Sequence, residues 1–300
     1  MRWLAAALVW LLPAIPACAT ELVEVAPGLL VRQGVEEDFD GANRGGIANL
    51  AAVIGSRAVA VVDSGGSLLD GQGFLAAIRE RTPLPVSHVV ITHLHPDHVL
   101  GNGAFPDARV VGHARLPRGL AERGPTYLDN MHRLLGDVAR GTAIVPPDIT
   151  VAIGETMTLD LGDRRLRLRA WPTAHTDTDL TVLDEASGTL IAGDLLFVER
   201  LPVVDGSLLG WIAVMRELAA LPAARAVPGH GPASVSWPGA LGPQARYLEG
   251  LRDSIRHSLA AGRSLAQTVA ETPPPSSGWL LVEDNHPRNV TTGYTELEWE

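Results

Sequence analysis

A cluster of three histidines and one aspartate is the strongest chemical signal in the sequence. Residues 92–98 read THLHPDH and hold, within six positions, His93, His95, Asp97 and His98. Nitrogen and oxygen donors of this kind suit Zn²⁺, and so many polar side chains in one place need partners. Alternation along the chain sends His93 and His95 in one direction, while the proline turn redirects the other two. One tight loop is therefore predicted to supply ligands to two adjacent metal ions.

Three further candidate ligands lie later in the chain. His175 follows a predicted strand and supplies the third imidazole that one metal still lacks. Asp194 ends an apolar strand, where a buried carboxylate needs a cation and can bridge two zinc ions. His230 lies in the sequence VPGHGP, a Pro/Gly loop that holds its ring in place. This histidine completes the predicted ligand set of the second metal.

The elements that must position these residues alternate between strands and helices. Residues 58–62 and 88–92 are apolar without alternation, which predicts strands buried on both faces, and residues 73–81 between them are predicted to be helical. This order favours an α/β layer architecture. The other predicted strands span residues 22–31, 47–54, 149–151, 156–161, 166–170, 180–183 and 189–192. The other predicted helices span residues 116–140, 215–221 and 244–261, of which the first is a candidate flap near the site.

The seven candidate ligands together resemble those of the metallo-β-lactamase superfamily, and the resemblance covers nearly all of the chain after residue 19. It implies an α/β fold, a four-layer αββα sandwich with a dinuclear site at one edge. It also implies that the aspartate in the DSG sequence, Asp63, supports the metal loop without being a ligand. The implied first-metal ligands are His93, His95 and His175, the second-metal ligands are Asp97, His98 and His230, and the bridging ligand is Asp194.

Departures from the lactamases of this superfamily change the expected activity. A chain cleaved after Ala19 has no cysteine, which excludes the lactamase subclasses with a cysteine ligand, and the remaining dinuclear subclass usually lacks the bridging carboxylate of Asp194. β-Lactamase activity is therefore disfavoured. The pattern is closer to glyoxalase II-like thioesterases and sulfur-oxidation-associated hydrolases. Histidine rather than glutamate at His95 argues against a flavodiiron-type oxygen site.

A narrower resemblance lies in residues 192–208 (AGDLLFVERLPVVDGSL) together with the C-terminal sequences HPRNV and ELEWE. These segments are similar to the quinoprotein relay system zinc metallohydrolases. That family implies a link to periplasmic dehydrogenases that use pyrroloquinoline quinone (PQQ), and it supplies no substrate. His286 and Arg288 lie in this C-terminal part, where the arginine could bind a substrate carboxylate bidentately or form a structural ion pair.

The expected mechanism is metal-assisted hydrolysis. Two Zn²⁺ ions that share a bridging water would lower the pKa of that water towards ~7, which provides hydroxide without a side-chain nucleophile. Asp97 and Asp194 are the predicted catalytic residues, because either could orient the attacking oxygen. An ester, a thioester or a lactone-like carbonyl suits this chemistry.

Residues 1–19 have the features of a secretory signal peptide. A basic start is followed by an apolar run to Leu12 and by small residues, which predicts cleavage after Ala19. The run is about half of the roughly 20 residues that span a bilayer, so no stable membrane anchor is expected. Lipidation of Cys18 is a further interpretation, which Pro16 disfavours. The predicted location is the periplasm or the exterior.

The bulk composition agrees with one exported globular domain. The 300 residues are 46% hydrophobic and 19% charged, which predicts a single hydrolase domain over residues 20–300 with a helical or extended C-terminal segment from about residue 244. The net charge of −10 is unfavourable for contact with nucleic-acid phosphates. A small-molecule substrate is therefore expected.

Two alternatives stay open at this point. One is a dioxygenase that holds a single iron in the half-site of His93, His95 and His175. The other is a non-catalytic protein that binds a quinone cofactor. The five remaining histidines are interpreted as surface or strand-edge residues outside the site, and they are His88, His113, His132, His257 and His286.

Overall fold

The structure, a computed structural model, describes residues 21–276 and 278–300. Two β-sheets pack face to face, and each carries helices on its outer face. The predicted signal peptide at residues 1–19 lies outside the described residues. No helix in the described ranges is both long enough and apolar enough to cross a membrane.

The first sheet has seven strands in sequence order. Its first four strands run antiparallel to their neighbours, while the fourth to the seventh are parallel. The strands are β1 (Val23–Ala26), β2 (Leu29–Arg32), β3 (Leu50–Ile54), β4 (Val59–Val62), β5 (Val86–Val90), β6 (Arg109–His113) and β7 (Ile149–Val151).

The second sheet has six strands in the order β13-β12-β11-β10-β9-β8, of which only β11 and β12 pair in parallel. Its strands are β8 (Thr156–Asp160), β9 (Arg165–Ala170), β10 (Leu180–Asp184), β11 (Thr189–Phe197), β12 (Arg225–His230) and β13 (Val235–Ser236). The helices are α1 (Leu68–Arg81), α2 (Pro96–Val99), α3 (Leu116–Leu135), α4 (Leu208–Ala219), α5 (Leu241–Ala260), α6 (Leu265–Glu271) and α7 (Val282–Leu297).

Three apolar layers hold these elements together. Strand β4 shows the pattern, because Val59 and Val61 face the helices on one side while Ala60 and Val62 face the second sheet. A strand buried on both faces needs no polar alternation. One layer lies between the sheets, one lies under α1 and α3, and one lies under α4, α5 and α7. The fold is thus an αββα sandwich, as the sequence predicted.

Several predicted boundaries were wrong for local reasons. The predicted strand at residues 22–31 is a hairpin of β1 and β2, because the chain turns at Gly28 with a φ of +68°. Helix α4 begins seven residues before the predicted start, since the Ser207 side chain caps it by accepting from the Gly210 N–H. Strand β11 continues past Asp194 to Phe197, and helix α6 was not predicted.

Candidate metal centre

The seven predicted ligands lie at strand ends and in the loops that follow them. Strands β4 and β5 are parallel neighbours, so their carboxyl ends bring Asp63 and the loop of His93 to one edge. His175 lies in the loop between β9 and β10, Asp194 lies within β11, and His230 is the last residue of β12. Asp97 and His98 lie in the short helix α2, which Pro96 begins. The structure brings all seven together in two groups, and the ligand atoms of each lie within 4.8 Å of one another.

The first group contains three imidazoles and one carboxylate. His95 Nδ1 is 3.1 Å from His93 Nε2 and 3.0 Å from His175 Nε2. Asp194 Oδ2 lies 3.7 Å from His93 Nε2 and 3.4 Å from His175 Nε2. Ligand atoms around a tetrahedral Zn²⁺, with bonds of 2.0–2.1 Å, are separated by about 3.3 Å. The spacing of the group therefore fits a tetrahedral ion of this size.

The second group shares the Asp194 carboxylate with the first. Asp97 Oδ2 is 3.2 Å from His230 Nε2 and 3.5 Å from His98 Nε2. Asp194 Oδ1 lies 3.1 Å from His98 Nε2, and its Oδ2 lies 3.4 Å from His230 Nε2. Asp194 thus stands between the two groups, in the position that the predicted bridging role requires.

Two orphaned atoms also indicate a cation at this place. His98 Nε2 and Asp194 Oδ1 are buried and lie 3.1 Å apart, but neither makes a hydrogen bond of suitable geometry among the described residues. Buried polar atoms normally find partners, and an exception needs an explanation such as an ion. The residues present therefore fit a metal cofactor.

Each imidazole is held by its second ring nitrogen. His98 Nδ1 contacts Asp63 Oδ2 at 2.8 Å, and that carboxylate also accepts from the Thr92 N–H and hydroxyl. Asp63 thus supports the loop as the sequence predicted. Thr92 Oγ1 in turn lies 3.0 Å from His93 Nδ1. Such outer contacts fix the ring orientation and the tautomer of a metal-binding histidine.

The other three imidazoles depend on residues that the sequence did not reveal. His95 Nε2 contacts Asp205 Oδ2 at 3.0 Å. His175 Nδ1 lies 2.7 Å from the Val203 carbonyl, and His230 Nδ1 lies 3.0 Å from the Ile47 carbonyl. Two of these contacts use backbone oxygens, which no sequence motif marks.

Asn49 fixes the end of β12, which carries His230 and which the sequence predicted to be a loop. Its Nδ2 donates to the Pro228 carbonyl at 2.9 Å and to the Gly231 carbonyl at 3.2 Å, and its N–H donates to the Gly229 carbonyl. The side chain is buried. A lone asparagine 181 positions before His230 carries no signal of this role in the sequence.

Burial and neighbouring charges shift the pKa values of these imidazoles in different directions. Burial lowers the pKa of His175 to about 3, against the opposite effect of Asp194. Burial and the nearby His98 also hold the pKa of His93 well below its ordinary value. Although burial opposes them, the surrounding carboxylates raise the pKa of His98 well above its ordinary range. The first group therefore keeps His93 and His175 in the neutral form that metal binding requires.

The C-terminal helix α7 holds the loop at residues 201–208. Asn289 Nδ2 donates to the Pro202 carbonyl at 2.7 Å, and its Oδ1 accepts from the Val204 N–H at 2.8 Å. Asn285 donates to the Leu201 carbonyl, and Glu296 accepts from the first residues of α4. This loop carries the Val203 carbonyl and Asp205, so the helix supports the metal centre.

A cavity of about 350 Å³ opens onto the two groups. Its wall includes the metal-group residues His95, Asp97, His175, Asp194 and His230, together with Phe39 and Tyr127. Four arginines also line it, and they are Arg123, Arg133, Arg200 and Arg288. Residues 123–134 on α3 form part of the wall, which places the predicted flap at the site. Arg123 contacts Asp205 and so joins α3 to the residue that holds His95.

The other five histidines lie outside both groups. His132 and His257 are exposed, as interpreted from the sequence. His113 and His286 are buried instead, because each is hydrogen-bonded within the protein. His113 contacts the Trp171 carbonyl, and His286 contacts the Tyr247 hydroxyl and the Thr272 carbonyl.

The family model of the metallo-β-lactamase superfamily matches residues 44–230. The fold is similar to that of a metallo-β-lactamase family protein from Thermus thermophilus, with a TM-score of 0.63 and 22% identity over 92% of this chain and 93% of that one. It is also similar to a metallo-β-lactamase from Pontibacter korlensis, with a TM-score of 0.61 and 20% identity over 76% of this chain and 98% of that one.

Two sulfatases from Pseudomonas sp. are also similar to this chain. The stereoselective inverting sec-alkylsulfatase Pisa1 has a TM-score of 0.69 at 16% identity, over 93% of this chain and 50% of that one. A linear primary-alkylsulfatase from strain ATCC 19151 is 29% identical over 118 residues, which are 38% of this chain and 20% of the relative. The chain therefore spans half or less of the length of these sulfatases.

Proposed function

The chain belongs to the metallo-β-lactamase superfamily, and on that premise we propose that it is an exported dinuclear zinc hydrolase. The observation that carries the proposal is the arrangement of two adjacent ligand groups, of four and three residues, with the Asp194 carboxylate of the first also close to the second. Zinc suits this donor set, because imidazole nitrogens and carboxylate oxygens are both common zinc ligands.

Two bound zinc ions would supply Lewis acidity and a bound water of lowered pKa. The protein's own residues would orient the attacking oxygen and the imidazoles. Asp97 and Asp194 present carboxylate oxygens to the cavity side of the groups, where either can orient an attacking oxygen by hydrogen bonding. Asp205 and Asp63 keep His95 and His98 in fixed orientations.

We propose an ester, a thioester or a lactone-like carbonyl as the reacting group. The cavity volume of about 350 Å³ matches a small molecule. A sulfate ester is the second candidate, and it is favoured by the similarity to the two alkylsulfatases. The seven non-thiolate ligands disfavour a β-lactam substrate, as argued from the sequence.

Export and a link to PQQ-dependent dehydrogenases are parts of the same proposal. The basic and apolar residues before Ala19 support export. The sequence of residues 192–208 and the C-terminal HPRNV support the quinoprotein relay link. Cell fractionation should place the protein in the periplasm, and N-terminal sequencing should begin at Thr20. A cytoplasmic chain that still begins at Met1 would contradict export.

Elemental analysis of the purified protein, together with a substrate panel, tests the proposed activity. The panel should contain an aryl ester, a thioester, a lactone, an alkyl sulfate and a chromogenic cephalosporin. We expect two zinc ions per chain and turnover of a carbonyl ester. His175→Ala should lose zinc and activity, while His257→Ala, which changes an exposed histidine on α5, should lose neither.

The other outcomes separate the alternatives. Hydrolysis of the alkyl sulfate alone would select the second candidate. One iron per chain with oxygen consumption would select a dioxygenase, and zinc without turnover of any substrate would favour a binding protein. Protein that binds no metal would overturn the proposal.

A further inference from the structure

Arginines are concentrated at the cavity of the candidate metal centre, alongside the carboxylates of Asp97, Asp194 and Asp205. The chain has a formal net charge of −10, yet four arginines line this one cavity. Two of them are engaged close by, since Arg123 contacts Asp205 and Arg133 donates to Asn130 on its own helix. The other two come from different elements: Arg200 has only a distant carboxylate partner, and Arg288 has no side-chain partner among the described residues.

Arg200 is a buried cation that has Glu36 in its neighbourhood but no close ion pair with a carboxylate among the described residues. It follows β11, and its side chain is only 9% exposed. Its Nη1 donates to the Glu37 carbonyl at 3.0 Å, while the carboxylate within 4 Å is that of the exposed Asp38, 3.8 Å from Nη2. The Nε atom is buried and has no hydrogen-bond partner in the described ranges. A buried guanidinium without a close carboxylate is costly unless an anion approaches it.

Arg288 lies on α7 and is exposed at the cavity. Among the residues that the structure describes, it has neither a hydrogen-bond nor an ion-pair partner, so its guanidinium remains available to a ligand. Its backbone is held in place nevertheless, because the next residue, Asn289, is buried and bonded to Pro202 and Val204. A free guanidinium on an anchored backbone is suited to recognising a carboxylate.

The rest of the cavity wall is largely apolar. Phe39, Ile47, Met131, Phe197 and Val203 line it beside the metal groups. An apolar wall between two arginines and a metal centre accommodates a substrate with a hydrophobic body and a charged end.

We propose that Arg200 and Arg288 form an anion subsite that selects substrates with a carboxylate remote from the scissile ester bond. The inference rests on the proposed hydrolase function and names the substrate class of that site. The guanidinium groups would bind the carboxylate through charge-assisted hydrogen bonds, while the carbonyl to be hydrolysed lies at the metal groups.

Two aryl esters that differ only in their acyl end test this subsite. One ester ends in a methyl group, and the other ends in a carboxylate on an acyl chain of the same length. The measured quantity is the ratio of kcat/KM for the charged ester to that for the neutral ester, in zinc-loaded protein. We expect this ratio to fall about tenfold to a hundredfold in Arg288→Gln, through a higher KM for the charged ester alone.

Arg200→Lys and Arg118→Gln complete the set of variants. Arg200→Lys keeps a positive charge but loses the bidentate geometry, so the ratio should fall less than in Arg288→Gln. Arg118 lies on α3, is 82% exposed and does not line the cavity. Arg118→Gln removes the same charge as Arg288→Gln, and the ratio should remain that of the wild type.

The outcomes separate this inference from the proposed function. Equal kcat/KM values for the two esters in the wild type, or an unchanged ratio in Arg288→Gln, would overturn the subsite. Failure of zinc-loaded protein to hydrolyse either ester would count against the hydrolase function alone. In that case calorimetric titration with the intact charged ester decides the inference, because Arg288→Gln should weaken its binding about tenfold or more relative to the neutral ester, and equal binding would overturn it.

Discussion

Asn289→Leu should lower the zinc affinity of the candidate metal centre, although Asn289 is not one of the seven candidate ligands. Asn289 is fully buried, and it bonds to the Pro202 carbonyl at 2.7 Å and to the Val204 N–H at 2.8 Å. It also bonds to the Tyr247 hydroxyl at 2.9 Å, and that hydroxyl keeps a second contact with His286. Leucine has a similar shape but satisfies neither backbone group. Each orphaned buried group costs about 1–3 kcal/mol, so the free energy of unfolding should fall by about 2–6 kcal/mol.

The same substitution should leave His175, a member of the first ligand group, less firmly oriented. Val203 lies between the two backbone groups that Asn289 holds, and its carbonyl accepts from His175 Nδ1 at 2.7 Å. Loss of such an outer contact typically reduces metal affinity 10- to 100-fold. We therefore expect zinc affinity to fall by about this factor, measured by competition with a chelator under conditions where urea titration shows the variant to be folded.

Val290→Ala is the matched control for this experiment. Val290 is the next residue of α7, is fully buried and packs into the core under the helix. Its truncation should cost about 2–3 kcal/mol through lost burial and a small cavity, with no effect on the residue 201–208 loop. The reasoning is refuted if Asn289→Leu retains wild-type zinc affinity, or if Val290→Ala loses as much affinity as Asn289→Leu does.

Two further substitutions test the packing of the site and of the sheets. A methyl group at Gly229 would overlap the Asp194 carboxylate, so Gly229→Ala should reduce the zinc content of the protein. A methyl group at Gly239 meets no atom within 4 Å, so Gly239→Ala should leave the zinc content unchanged. Elemental analysis of both variants measures the difference. Arg164 binds the buried Asp184 through two nitrogens at 2.9 and 2.6 Å, so Arg164→Met should lower the free energy of unfolding by about 3–5 kcal/mol at pH 7. Although burial opposes it, Arg164 holds the pKa of Asp184 below its ordinary value. The contribution of the pair is therefore complete above the ordinary Asp pKa of about 3.9 and is lost as the pH falls through the lower folded-state value. Urea unfolding of both proteins across this range should show the difference shrink with acid; a constant difference would contradict the assignment.

The grouping of the seven candidate ligands was predictable from the sequence because their residue types are rarely needed for anything else in such places. His93, His95 and His98 follow an apolar strand within six positions, where neither packing nor solvation explains three imidazoles. Asp194 lies within a strand whose nine residues are all buried, where a carboxylate needs a partner such as a cation. Each of these polar side chains stands next to an apolar strand or within one. A single sequence is enough to reveal such a contrast.

The residues that hold the ligands could not be found in this way. Asp205 lies in a loop, where aspartate is common, and its contact with His95 spans 110 positions. The contacts of Val203 and Ile47 use backbone carbonyls, which every residue has. Helix α4 was predicted to start late for a related reason: its first turns are mostly apolar, so their helical period is hard to distinguish from a buried strand.

The three segments that carry the narrower resemblance contact one another in the structure. The C-terminal HPRNV contributes Asn289, which bonds to Pro202 and Val204, while the ELEWE ending contributes Glu296, which accepts from Ser207 and Leu208. Both contacts therefore fall within residues 192–208, more than 80 positions away in sequence. Because the same loop presents the Val203 carbonyl to His175, helix α7 acts on the metal centre through backbone atoms. The C-terminal sequence can thus bear on the function of the site while contributing none of the seven ligands.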